Sequence, residues 1–309
     1  MSSNYGIKID TDLPDKINTF SSGSKDYASF IYTTEGSASF KTETDITCDF
    51  LIVGGGGSGG VNLQGAGGGG ALGYFSGFKV SAGTYDVIVG RGGAQAEAGS
   101  HTLPGLNGSG SAVFGETAGG GEGASVDGNK IAGDGGTISV QAASSQYDAV
   151  VTSGAHTGGT ASGNAGASGA GAGANGGNMS GNSSVASPSP AGGVGKQIGT
   201  IYDGINNYYW AGGGGGEGYA DGGGAGGLGG GGGGAAFSEY TQHSASGAGG
   251  GSALNSGIDG GHANDVHNGG KAGDNTGGGG GGGSNVGGGQ TSAIGGAGGS
   301  GIVIIKVGG

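Results

Sequence analysis

Short runs of β-branched and aromatic residues, separated by Gly, Ser, Thr and Asp, recur between residues 27 and 90 at 29–32, 38–41, 48–53, 75–80 and 85–89. This spacing, without any stretch of helical periodicity, predicts strands and an all-β sandwich or jelly-roll-like frame with essentially no α-helix. Shorter strand-like pieces follow at 111–114, 137–142 and 196–202. The chain closes on Ile302-Val303-Ile304-Ile305-Lys306-Val307, another strand pattern. Residues 1–26 read as a polar arm with a turn at Leu13-Pro14-Asp15, and 27–309 as one folded domain. Residues 153–191, nearly devoid of large apolar side chains and ending in Ser187-Pro188-Ser189-Pro190, read as mostly surface loop.

Between the strand patterns the chain is dominated by glycine, 93 of 309 residues, with dense runs at 212–216, 222–234 and 277–283. Collagen is excluded, because only four prolines are present and no Gly-X-Y triplet is sustained. A disordered linker fits poorly, since only 10% of residues are charged and aromatic side chains such as Tyr74, Phe114, Trp210 and Phe237 border the runs. The conformation suited to uninterrupted glycine is the polyproline II type of three-fold helix, which makes no internal hydrogen bonds and rises about 3.1 Å per residue. Such helices are expected to pack side by side and bond to one another as the interior of the domain. Gly231→Val, inside a dense run, is then expected to be far more damaging than Gly166→Val in the expected loop.

The formal net charge of −12 disfavours nucleic acid and anionic membranes as partners. No apolar run approaches the roughly 20 residues of a membrane span, so no membrane insertion is expected. The amino terminus lacks the pattern of a secretory signal, which points to synthesis in a cytoplasm. A single cysteine, Cys48, excludes an internal disulfide and any multi-cysteine metal site.

Motifs for chemistry are weak. Residues 51–59 contain a formal G-x-G-x-x-G after a strand, but nothing helical follows to aim N–H groups at a pyrophosphate. Gly195-Lys196-Gln197 lacks the Ser or Thr of a phosphate loop. His262, His267, Asp259, Asp265 and Asp274 lie close in sequence without preset geometry for a metal, and no nucleophile elbow is present. No cofactor, metal or catalytic residue is assigned.

Residues 30–40, 49–57, 67–71 and 80–93 together resemble the opening of the glycine-rich domains of tailed-phage and large-virus structural proteins, and 298–307 resembles their closing strand. The resemblance implies a sandwich enclosing bundled polyglycine helices. Similar architectures occur at the tips of T-even-like phage tail fibres and, distantly, in anaplastic-lymphoma-kinase-type receptors. It further implies a non-enzymatic virion surface protein, a fibre, spike or capsid-associated decoration. The arm would contact other capsid or tail proteins, and analogy with viral fibres suggests a homo-oligomer, a trimer. The alternative is a receptor-binding adhesin whose loops contact a host glycan or protein, with Ser153, His156, Asn178, Ser187, Asp259, His262, Asp265 and His267 as candidate contact residues. A carbohydrate-active enzyme on a β scaffold is a third reading.

Overall fold

The computed structural model describes residues 14–61, 65–95, 103–125, 131–162, 165–179, 189–218, 222–236, 246–261, 267–284 and 293–308. Among them there is no α-helix, only one 3-10 turn at Ser144–Gln146. The fold is all-β. One antiparallel sheet comprises β1 (Lys16–Ser22), β2 (Lys25–Tyr32), β4 (Ile46–Val53), β5 (Leu72–Val80), β10 (Ala149–Ser153) and β13 (Ile302–Gly308), in the order β1-β2-β13-β4-β5-β10. A second joins β3 (Gly36–Thr42), β6 (Gly83–Val89), β7 (Ser111–Val113), β8 (Glu116–Ala118) and β9 (Ile138–Ser139) in the order β3-β6-β7-β8-β9. β11 (Lys196–Ile198) and β12 (Tyr208–Trp210) pair as a separate two-stranded sheet.

The central strands of the first sheet are buried on both faces, which is why β4 and β13 read as largely continuous apolar runs rather than alternating ones. Alternate residues of β13 serve two cores. Val303, Ile305 and Val307 join Phe30, Phe50, Phe75 and Phe78 against Phe40, Val87, Val89 and Val113 of the second sheet. Ile302 and Ile304 join Ile31, Leu51, Val53 and Leu72 on the opposite face, beneath Ile198, Ile201 and Trp210. Phe50 and Phe75 stack at 4.5 Å between centroids. Phe114, in the tight turn after β7, takes φ 54°, a conformation rare for a bulky residue. That turn brings its ring within 5.3 Å of Phe50 and 5.1 Å of Tyr85.

β4 runs directly into glycine, and there the hydrogen bonding changes its period. Gly54, Gly57 and Gly60 donate to the carbonyls of Ala71, Gly68 and Gly65; Gly55, Ser58 and Val61 donate to Ser109, Leu106 and Leu103; Gly56 and Gly59 donate to Gly299 and Gly296. Three neighbours addressed in rotation, each every third residue, is the signature of a three-fold extended helix in a lattice of such helices. The run 277–284 is buried throughout. It donates to 212–215, 57–60 and 267–270, and accepts from 67–70, 232–235 and 296–299, so six tracts surround it.

At most positions in the buried tracts this spacing admits only glycine. A Cβ on Gly56 would lie 2.0 Å from the carbonyl oxygen of Gly278, and one on Gly281 would lie 2.0 Å from that of Gly233. Tracts toward the lattice edge instead carry side chains at three-residue intervals: Leu103, Leu106 and Ser109; Ile131, Asp134 and Thr137; Ala225 and Leu228; Asn268, Lys271 and Asp274; Ile294, Ala297 and Ser300. Tracts reverse at tight turns such as Gly229 and Gly230, with φ 103° and 86°.

Several expectations are revised. The boundary expected at residue 27 falls inside β2, and β1 pairs with β2 along its whole length. Asp15, just before β1, accepts from the backbone of Thr33 at 2.5 Å and Thr34 at 2.8 Å, and from the Thr34 hydroxyl at 2.5 Å. The folded unit therefore reaches back at least to Asp15. Strand structure within 137–142 is limited to β9, because the N–H groups of Gln141 and Ala142 bond the buried carboxylate of Glu116 instead of a neighbouring strand. The stretch 196–202 is strand only as far as Ile198, and Ile201 then accepts from the Ser29 hydroxyl. β1, β8, β10 and β12 add strands that the apolar pattern did not announce. The expected loop at 153–191 contains a buried tract, 165–172, in which Gly166 donates to Glu217 and Gly169 to Gly214.

Gly281→Ala should lower unfolding stability by about 3 kcal/mol or more through overpacking, whereas Gly251→Ala, with nothing within 4 Å of the added carbon, should remain within about 0.5 kcal/mol. Gly166→Val should now match Gly231→Val in severity. Calorimetry checks all four variants, and equal melting of the two alanine variants would contradict the lattice. A second outcome concerns acid. Partial burial raises the Asp15 pKa, but hydrogen bonds from Thr34 and Thr33 outweigh it and hold the carboxyl below its usual 3.8. Its stabilisation is therefore complete above pH 3.8 and disappears as pH falls through the lower folded value. Asp15→Asn should flatten the acid limb of a plot of urea midpoint against pH.

Candidate functional site

A tract at the lattice edge lacks a neighbour on one side, which leaves a row of N–H groups without a main-chain acceptor. Side-chain carbonyls of Asn and Asp supply it. On parallel tracts the clamp closes on one residue: Asn175 Oδ1 accepts from Thr157 N at 3.1 Å while Gly176 N donates to Thr157 O. Asn178 and Met179 hold Thr160 the same way, with 2.8 Å to the side chain, and Asn268 and Gly269 hold Ile294, with 3.0 Å. On antiparallel tracts the bonded carbonyl lies two residues before the bonded N–H. Asn107 accepts from Gly123 N at 2.8 Å as Gly108 donates to Gly121; Asp134 accepts from Gly158 at 2.7 Å as Gly135 donates to His156. Asp259 accepts from Gly249 at 2.8 Å as Gly260 donates to Gly247.

The candidate contact residues separate into two places on this edge. Ser153, at the end of β10, donates to the carbonyl of Ala172; His156 Nδ1 lies 3.2 Å from Asn175 Oδ1; Asn178 clamps Thr160. These three lie on adjoining tracts. Asp259, exposed, and His267, half-buried, lie on another adjoining pair, 256–261 and 267–273. Ser187, His262 and Asp265 fall outside the described residues. Sequence reasoning missed Asn107, Asp134, Asn175 and Asn268. Their signal is an Asn or Asp directly before glycine, in a tract whose side chains recur every third residue.

Two further surfaces carry chemistry. On the outer face of the first sheet, an open cavity of about 380 Å³ is lined by Lys25, Tyr27, Thr47, Cys48, Asp49, Lys306 and Gly308. Lys306 Nζ pairs with Asp49 at 2.7 Å and lies 5.2 Å from the centre of the Tyr27 ring, and Asp49 also accepts from Gly77 N at 3.0 Å. Burial, then the charge and hydrogen bond of Asp49, push the Tyr74 phenol up to about 12. Burial, with the charge of Asp49, likewise raises Cys48, keeping the thiol protonated. The second surface is the turn before β12, where Ile205 is 78% exposed near Tyr202 and Tyr208, whose rings meet edge to face at 5.8 Å. Asp203 ties this turn by accepting from Ile205 N and Asn206 N at 2.9 and 2.8 Å.

Among the described residues no group of three or more His, Cys, Asp or Glu is placed to hold a metal, and no helix is long and apolar enough to cross a membrane. Among the described residues no helix follows the formal dinucleotide fingerprint. Its N–H groups at Gly54, Gly56, Gly57 and Gly59 are all engaged by neighbouring tracts rather than aimed at one point.

Asn175→Ala should cost about 1 kcal/mol through the lost clamp and speed amide exchange at Thr157, whereas Asn175→Asp should stay close to the parent because Asp134 and Asp259 already fill equivalent positions. Indistinguishable exchange at Thr157 in the alanine variant would remove the clamp's role.

No curated protein matches the chain. The family described as a glycine-rich domain matches residues 33–271, a span running from before β3 through β12 and most of the lattice. The chain belongs to the glycine-rich domain family.

Proposed function

We propose that this chain is a non-catalytic structural protein on the surface of a virus particle, a fibre, spike or decoration. The observation carrying this reading is that main chain bonded to main chain forms the interior, as in the lattice around residues 277–284. A glycine lattice with few large side chains is a poor platform for a precisely positioned catalytic group and a good rigid spacer. The likeness of 30–40, 49–57, 80–93 and 298–307 to phage and large-virus domains supplies the context. Attachment to capsid or tail through the amino-terminal residues, and assembly as a trimer, belong to the same proposal.

A second reading, host attachment, is favoured by one observation: Ile205 stands 78% exposed close to Tyr202 and Tyr208. A host glycan or protein is the partner such an exposed apolar turn suits. The test is mass spectrometry of purified particles together with imaging of their surface. Particles should contain the chain on the outside, and particles without it overturn both readings. If it is present, an Ile205→Asp particle that loses host attachment but assembles normally supports the second, and unaltered attachment leaves the scaffold alone.

A further inference from the structure

The whole sequence contains three Asn-Gly steps, at Asn107, Asn175 and Asn268, and all three are lattice clamps. Asn-Gly is the dipeptide best disposed to intramolecular deamidation, because the unhindered glycine nitrogen can reach the asparagine Cγ. The nitrogen loses its proton and attacks Cγ, a C–N bond forms, and ammonia leaves from a five-membered imide. Water then opens the imide at either carbonyl. One product is aspartate; the other is isoaspartate, whose backbone runs through the former side-chain carbon. Overall, water is consumed and ammonia released, with no change of oxidation state.

Both reacting atoms are restrained here. Each glycine N–H donates to a neighbouring tract at 2.9 Å: Gly108 to Gly121, Gly176 to Thr157 and Gly269 to Ile294. Each asparagine Oδ1 is held on that same neighbour, by Gly123 at 2.8 Å, Thr157 at 3.1 Å and Ile294 at 3.0 Å. Cyclisation requires the nitrogen to give up its carbonyl acceptor and the side chain to swing off its donor. Both bonds run to one tract, so they break together only when the two tracts separate.

We propose that Asn107, Asn175 and Asn268 are latent deamidation sites that the lattice locks, and that they react only through local separation of tracts. The products then differ in fate. Aspartate retains an oxygen for the clamp, as Asp134 and Asp259 do in the same motif. Isoaspartate adds a backbone atom and breaks the three-residue rotation, so a tract that acquires it cannot re-enter the lattice. This holds whether or not the chain is a virion protein.

The full chain, incubated folded and in denaturant in the same mildly alkaline buffer, is digested at intervals and mapped by mass spectrometry. Conversion at all three sites should be at least about tenfold slower in the folded sample, as expected for chemistry that needs an opening reaction. Equal rates in the two samples overturn the lock. Chains aged in denaturant and then refolded provide the second readout. The protease-resistant fraction should retain aspartate and exclude isoaspartate at these positions, and isoaspartate in that fraction at its starting proportion overturns the claim about re-entry.

Discussion

The structure depends on hydrogen bonds between main chains that form in three directions at once where glycine, or at a few positions alanine or serine, lets backbones approach. In a β-sheet each strand bonds to two neighbours within one layer, and side chains separate the layers. In the tracts here the bonding direction rotates with every residue, so the network grows in three dimensions and the space normally filled by side chains is filled by other backbones. Each bond contributes only about 1 kcal/mol net, and ordering glycine is entropically unfavourable. The tracts therefore rely on being delivered at fixed positions by elements that are stable for ordinary reasons. The two-sheet core of Phe30, Phe50, Phe75 and Phe78 is such an element.

That dependence accounts for the division of labour along the chain. β4 leads into 54–61, β12 leads into the run after Ala211, and the run 293–301 leads into β13. The hydrophobic hairpin of β11 and β12 covers the outer face of the first sheet, with Trp210 buried between sheet and lattice. At the opposite limit, where tracts face solvent, polar side chains take over the acceptor role. The lattice thus ends in Asn, Asp and Ser oxygens such as those of Asn178, Asp134 and Ser109, which close the network without another tract.

How much of this was legible follows from which physical effect each segment uses. β2 to β6 and β13 were visible because apolar burial writes itself into side chains. β1 was missed because Lys16–Ser22 is an edge strand with mostly exposed residues, and the stretch 165–172 was misread because alanine, serine and glycine carry little apolar signal while their backbone is wholly buried. The three-residue spacing at the lattice edge is present in sequence, but it shifts phase at every turn and lasts two or three repeats. A search for a sustained triplet passes over it. The clamp residues looked like loop polarity for the same reason: Asn178 and Asp259 are polar, near glycine and outside strands, and only three-dimensional pairing distinguishes a structural acceptor from a contact residue.

The position of β13 has a consequence for how the molecule comes into being. It lies in the middle of the first sheet, bonded on one side to β2 and on the other to β4, yet it is separated from both by nearly the whole chain. While a ribosome is still making the glycine tracts, β2 and β4 present two open edges lined by Ile31, Leu51 and their neighbours, a hazard for pairing with other nascent chains. Closure of the sheet therefore waits on one sequence-distant segment, the kind of pairing that slows folding. A chain lacking Ile302–Gly308 would leave the central seam of this sheet unclosed.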